Sequence, residues 1–227
     1  MKTATLTAHA AYELWSQTYP PIAHNPLMRV EQDVVERLIA YQRATRALDV
    51  GTGSGRYLPV LAATGARVVV GLDFSPAMLA RCVGALRRSL VLADACRLPF
   101  RRAAFDLINA SLIVGDVHDL DGWSAEVART LTYGGHLIYS DFHPSWAQHG
   151  WRRTFRDAGG HTHDVAFEPH AIDDHLAALE RAGLAVQAIR EPRFKDDGDA
   201  SVKEFQRQWG NPPVVVVFHA VKPHGPQ

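Results

Sequence analysis

From residue 45 onward, apolar runs of strand length alternate with stretches whose apolar residues recur at helical spacing. The runs at 46–50, 66–73, 89–95, 105–114, 136–142, 185–191 and 214–221 are mostly continuous in small and branched aliphatic residues. Strands without in–out alternation are covered on both faces, as in a parallel sheet with crossover helices. Between the runs, Ser75-Pro76 offers an N-cap followed by proline at the first helical position. Leu120–Leu131 reads as a second helix, ended by a turn at Gly134-Gly135 before the fifth strand. Ile172, Leu176 and Leu179 share one face of a third, which Gly183 stops. The alternation predicts an α/β fold.

Two regions fall outside this rhythm. Residues 1–42 read as two helices joined at Tyr19-Pro20-Pro21, and residues 143–170 form an insert after the fifth strand, rich in His, Trp, Phe and Gly. Long insertions beyond the C-terminal ends of parallel strands commonly build binding sites. The expectation is one domain over 1–227, with 1–42 as a helical lid and 143–170 as part of the substrate site.

Bulk properties narrow the partners. Lys+Arg and Asp+Glu balance at 24 each in 227 residues, so no basic field advertises nucleic acid. No apolar stretch approaches membrane-spanning length. Cys82 and Cys96 show neither metal-ligand spacing nor a disulfide framework, which fits free thiols in a reducing compartment. The expected setting is cytoplasmic, with a small-molecule substrate, no nucleic acid, no membrane, and a monomer or homodimer.

The chemistry concentrates in Ala47-Leu48-Asp49-Val50-Gly51-Thr52-Gly53-Ser54-Gly55. Glycines at a strand-to-helix turn admit positive φ and let a ligand approach the main chain. Asp49 stands two residues before Gly51, where a carboxylate meets the ammonium of a methionine-like group. Asp73 closes the next strand, 22 residues after Gly51, where an acid accepts both ribose hydroxyls. A dinucleotide loop would carry glycine in place of Arg56 and has no use for an acid at 49. Together these residues point to S-adenosylmethionine.

On these residues the chain resembles the class I S-adenosylmethionine-dependent methyltransferases, over nearly its whole length. Leu48–Gly55 is similar to their first motif, and Gly71–Met78, with Phe74, to the second-strand acid and the helix after it. Leu92–Phe100 resembles the segment whose aspartate, here Asp94 beside Ala95, contacts the adenine amino group. Phe105–Ser111 resembles the fourth strand, whose end runs beside the methionine portion, and Leu131–Gly135 the family's glycine turn with Tyr133 in place of proline. Tyr12–Tyr19 is similar to the opening of the ubiquinone/menaquinone- and biotin-pathway subgroup, with Pro20 replacing its final acid. The resemblance implies a Rossmann-like fold with a seven-stranded, mostly parallel sheet and helices on both faces. It also implies that S-adenosylmethionine is the cofactor and S-adenosylhomocysteine the product. The cofactor site would comprise Asp49, Gly51, Gly53, Gly55, Asp73, Phe74, Asp94, Ala95 and Ser111.

The acceptor side is less legible. His118, beyond the fourth strand, and His143, beyond the fifth, are candidates for a general base or for positioning the acceptor. They tilt the expectation slightly towards methylation at oxygen or carbon over nitrogen. Tyr12, Tyr19 and Trp146 are candidate substrate contacts, and the insert's aromatics either wall a pocket or bury the insert. Arg152, Arg153 and Arg156 either hold an acidic group or form the solvated face of a short helix. The histidines of the insert match no zinc pattern, so no metal is expected. The rival reading keeps the cofactor but transfers no methyl group, serving in regulation, decarboxylation or cyclisation.

Overall fold

The computed structural model describes residues 5–196 and 198–224, so residues 1–4 of the expected lid and 225–227 lie outside the described residues. The described residues open with β1 (Thr5–Leu6), α1 (Ala8–Trp15) and α2 (Pro26–Ala40). Then follow β2 (Arg46–Val50), α3 (Leu58–Ala62), β3 (Val68–Asp73), α4 (Pro76–Leu79), β4 (Leu90–Leu92), β5 (Phe105–Ser111), α5 (Leu120–Thr130) and β6 (Leu131–Phe142). The expected insert holds α6 (Ser145–His149), β7 (Arg153–Arg156) and β8 (Thr162–Val165). The chain continues through α7 (Ile172–Arg181), β9 (Ala185–Arg190), α8 (Ala200–Trp209) and β10 (Val215–Val221).

The main sheet has seven strands in the order β4-β3-β2-β5-β6-β10-β9. Its neighbours pair in parallel, except that β10 runs antiparallel to both β6 and β9. Adjacent residues of a strand pack into different cores, which is why these strands read as continuous apolar runs. Leu107 of β5 packs with Val35 and Ile39 of α2 and Leu61 of α3. Ile108 packs with Trp123 and Val127 of α5 and Leu179 of α7.

Local chemistry sets the helix starts. Asn25, Ser75 and Asp119 each accept a hydrogen bond from a first-turn N–H of α2, α4 and α5, and Pro26 and Pro76 occupy positions whose N–H has no helical partner. The Gly134-Gly135 turn expected ahead of the fifth strand lies instead inside β6, which runs unbroken from Leu131. Gly134 takes φ +72° there, and its N–H donates to the Lys222 carbonyl at 2.7 Å, so the pair makes an irregularity within the sheet.

The two regions outside the rhythm come together. β1 pairs in parallel with β8, and β8 pairs antiparallel with β7, giving a second, three-stranded sheet. Leu6, Ala11, Leu14 and Trp15 from the N-terminal segment share a small core with Phe155 and Val165 of the insert. Trp15 stacks on Phe155 with ring centroids 4.9 Å apart. The short helix, one of the two readings for Arg152, Arg153 and Arg156, is absent here: Arg153–Arg156 form the strand β7, with Arg152 just before it. Its period of two buries Arg153 and Phe155 while Arg152 and Arg156 face outward. The helix α8 has no counterpart in the expected element order, although Val202, Phe205 and Trp209 share one of its faces.

Candidate active site

The strand order reverses between β2 and β5, and the carboxyl ends of the strands open there into a cavity of about 820 Å³. Its base is the glycine loop that follows β2. Gly51, Gly53 and Gly55 take φ of +67°, +55° and +86°. Gly51 is also held by space, since a Cβ there would lie 2.3 Å from Cγ2 of Ile113. Gly55 stands behind the cavity wall rather than in it, packed where a Cβ would meet Cys82 Sγ at 3.1 Å and Leu58 Cδ1 at 3.2 Å.

Asp49 is buried at the end of β2. It accepts hydrogen bonds from Thr52 Oγ1 and Asn109 Nδ2, both at 2.7 Å. Burial outweighs those donors and lifts its pKa to about 6. Asp73 ends β3 and accepts the Gly53 N–H at 2.8 Å and the Ser75 N–H at 2.9 Å, which fixes the loop against the next strand. Burial raises its pKa also. Asp94 is exposed at the rim, where its Oδ1 accepts the Cys96 N–H at 2.8 Å, with Ala95 beside it. Ser111 ends β5 and Phe74 follows β3; both line the cavity.

Tyr12 and Tyr19 from the N-terminal segment and Trp146 of α6 also line the cavity. The Trp146 indole N–H donates to the Val214 carbonyl at 2.9 Å, and its ring meets Phe142 at 4.8 Å and Trp151 at 5.7 Å. Phe205 and Trp209 of α8 continue this aromatic wall.

The two candidate histidines part company. His118 lines the cavity, but its side chain is 91% exposed at the rim, 3.2 Å from Glu168. His143 is not on the cavity wall. Its Nδ1 accepts the Ser145 N–H at 3.1 Å, which leaves Nε2 to donate to Glu191 at 2.9 Å, so it fastens the end of β6 to the segment after β9.

Two clusters of charged groups reach the cavity outside the cofactor motifs. Arg153 donates to both oxygens of Asp116, at 2.6 and 3.2 Å, and also to the Tyr12 hydroxyl. Arg56 lines the cavity, held by Glu31 at 3.0 Å; Glu31, fully buried, also accepts from Tyr57 Oη at 2.7 Å and Ser140 Oγ at 2.8 Å. Neither cluster has a local signature, because its members lie far apart in the chain. Only the R-x-F alternation at 153–155 hints that Arg153 turns inward.

The cavity fits S-adenosylmethionine on the chemistry of its donors. Buried carboxylates Asp49 and Asp73 suit an ammonium and a ribose diol, and Arg56 offers a cation to a carboxylate. Among the described residues, no group of three or more His, Cys, Asp or Glu could hold a metal ion. No helix among them is long and apolar enough to cross a membrane.

Comparison with known proteins agrees with this geometry. Residues 48–139 match the family model described as a methyltransferase domain. A malonyl-[acyl-carrier protein] O-methyltransferase of Methylovorus sp. (strain MP688) is 31% identical over 178 residues, 73% of this chain and 59% of the relative. A demethylmenaquinone methyltransferase of Thermobifida fusca (strain YX) is 37% identical over 103 residues, 42% of each chain. The chain thus spans about half the length of these curated relatives. A solved S-adenosylmethionine-dependent methyltransferase from Mesorhizobium loti superposes with a TM-score of 0.67 at 23% identity, covering 86% of this chain and 99% of that one, a likeness of fold. Motif, fold and cavity concur: residues 48–139 match a methyltransferase domain, the chain has the fold of solved S-adenosylmethionine-dependent methyltransferases, and together with the curated relatives this supports a class I S-adenosylmethionine-dependent methyltransferase.

Proposed function

We propose that this protein transfers the methyl group of S-adenosylmethionine to a small, flat, largely apolar organic acceptor. The observation that carries the reading is the joining of two walls in one cavity: the acid-and-glycine wall at the ends of β2 and β3, and the aromatic wall of Tyr12, Tyr19, Phe142, Trp146 and Trp151. When bound, the cofactor supplies a sulfonium-activated methyl group. Asp49 pairs with its ammonium, Asp73 accepts its ribose hydroxyls, and Gly51 and Gly53 let the main chain approach. Phe74, Asp94 and Ala95 receive the adenine end, and Ser111 borders the methionine portion. Gly55 supports this site by packing behind it.

The three-stranded sheet, with α1, α6 and α8, serves as the cap that orients the acceptor and excludes water. The named substrates of the two curated relatives offer two acceptor classes, a demethylated menaquinone and a carrier-bound malonyl group. The aromatic wall favours the flat ring, because stacking and desolvation reward a planar apolar body. Tyr12, Tyr19 and Trp146 are its contacts. Methylation at oxygen or carbon is favoured over nitrogen, because a buried carboxylate and not a neutral acceptor faces that space. Formation of S-adenosylhomocysteine with a panel of phenolic and quinol acceptors tests the reading. Cofactor binding without turnover across the panel supports the rival role in which no methyl group moves.

A further inference from the structure

We infer that Asp116 receives the acceptor's proton, with Tyr12 and Arg153 holding its carboxylate in the cavity wall. The inference rests on the methyl-transfer reading above and names the base that reading requires. Asp116 ends the single helical turn Val114–Asp116 that follows β5, at the rim of strand ends where the acceptor meets the cofactor. That turn is tied down from two sides. The Asp116 N–H donates to the Ile113 carbonyl at 2.9 Å, and the Glu168 N–H donates to the Gly115 carbonyl at 2.6 Å.

The other candidates are committed or misplaced. Asp49 and Asp73 spend their oxygens on the glycine loop and the cofactor end. Asp119 caps α5 through the Gly122 N–H at 2.8 Å. His118 sits in solvent and His143 lies off the wall. Asp116 lines the cavity with its side chain only 8% exposed.

A carboxylate offers about four lone-pair sites. Arg153 occupies two of them and the Tyr12 hydroxyl reaches the same carboxylate, so the count leaves one site for the acceptor on a residue that lines the cavity. Four ionisable groups face it: Arg153 from β7, Tyr12 from α1, Asp141 from β6 and Asp73 from the end of β3. Burial and the neighbouring Asp141 raise its pKa, while Arg153 opposes them, and the net direction is upward, towards a more competent base. In the step, the acceptor O–H bond breaks and its proton passes to the Asp116 carboxylate. The oxygen keeps the electron pair and forms the O–CH3 bond, while the S–CH3 pair returns to sulfur and leaves a neutral thioether. Asp116 then loses its proton to solvent.

The test compares 2-naphthol with 2-naphthalenethiol as acceptors, at saturating S-adenosylmethionine, reading S-adenosylhomocysteine formation. The aryl thiol ionises unaided far more readily than the naphthol, so the ratio of the two rates isolates the base. Asp116→Asn is expected to lower the naphthol-to-thiol ratio by about 100-fold and to remove the acidic limb of the naphthol pH profile. An equal fall in both rates would show that Asp116 only shapes the pocket, which overturns the inference and leaves methyl transfer standing. If the wild-type chain binds S-adenosylhomocysteine yet methylates neither compound, the flat-acceptor reading fails, and the inference with it. Should Asp116→Asn not melt cooperatively, Asp116→Glu decides, since it keeps the charge opposite Arg153. A moved acidic limb supports the inference, and a ratio and profile identical to wild type overturn it.

Discussion

Binding of S-adenosylhomocysteine should weaken as pH falls through 6, because Asp49 must be ionised to pair with the ligand's ammonium. Burial holds the free protein's Asp49 near a pKa of about 6, against 3.8 for an ordinary aspartate. In the complex the ammonium stabilises the carboxylate, so the bound state keeps its charge to lower pH. Protons therefore compete with the ligand only for the free protein, which fixes the sign. With a pKa near 6, roughly nine tenths of Asp49 is charged at pH 7 and about a tenth at pH 5. The dissociation constant should rise about tenfold over that interval, or about 1.4 kcal/mol. Calorimetric titrations in two buffers of different ionisation heat would also show about half a proton released per ligand bound near pH 6. Asp49→Asn preserves the shape and removes the titration, so its affinity should be weaker and its pH dependence flatter. Asp73, which burial also raises and whose charge raises Asp49 in turn, remains in both proteins and accounts for the residual slope of Asp49→Asn. Affinity that stays constant from pH 5 to 7, or an identical slope in Asp49→Asn, would refute the reasoning.

Other perturbations test the frame around the site. Gly51→Ala forces a Cβ into Ile113 at φ +67°, so cofactor binding should be lost and the melting temperature should fall, at a cost of about 1–3 kcal/mol. Glu31→Ala strands the Tyr57 and Ser140 hydroxyls and leaves Arg56 without its carboxylate, which should lower the unfolding free energy in urea by about 3–5 kcal/mol. An unchanged midpoint would mean that the cluster rearranges at no cost. Phe155→Ala removes the ring on which Trp15 stacks and should destabilise the cap by about 3 kcal/mol. Hydrogen exchange should then quicken in residues 5–16 and 153–165 ahead of the main sheet.

Much of the fold was legible because its signals are local. Each strand of the main sheet overlaps an apolar run, since strands covered on both faces carry few polar positions. The N-cap at Ser75 acts within three residues of itself. Legibility ended at the cap. β7 and β8 are four residues each and carry Arg, His and Asp, so they lack the apolar density of the main strands. α8 was obscured by the charged run just before it, although Val202, Phe205 and Trp209 stand at helical spacing. Of the residues expected at the cofactor end, all but Gly55 line the cavity, and of the two histidines only His118 does, at its exposed rim.

By itself the sequence determined the sheet, the glycine loop and the acids at 49 and 73, because strand burial, turn geometry and loop spacing are set by neighbours along the chain. Tertiary structure alone decided how the charged groups of the cap pair. Arg153 meets Asp116 across 37 residues and Tyr12 across 141, and His143 turns away because Ser145 and Glu191 claim its two nitrogens. An arginine is ordinarily a solvated residue. Here it is a buried one because folding brings Asp116 and Tyr12 to it, and no feature of its own stretch of chain encodes those partners.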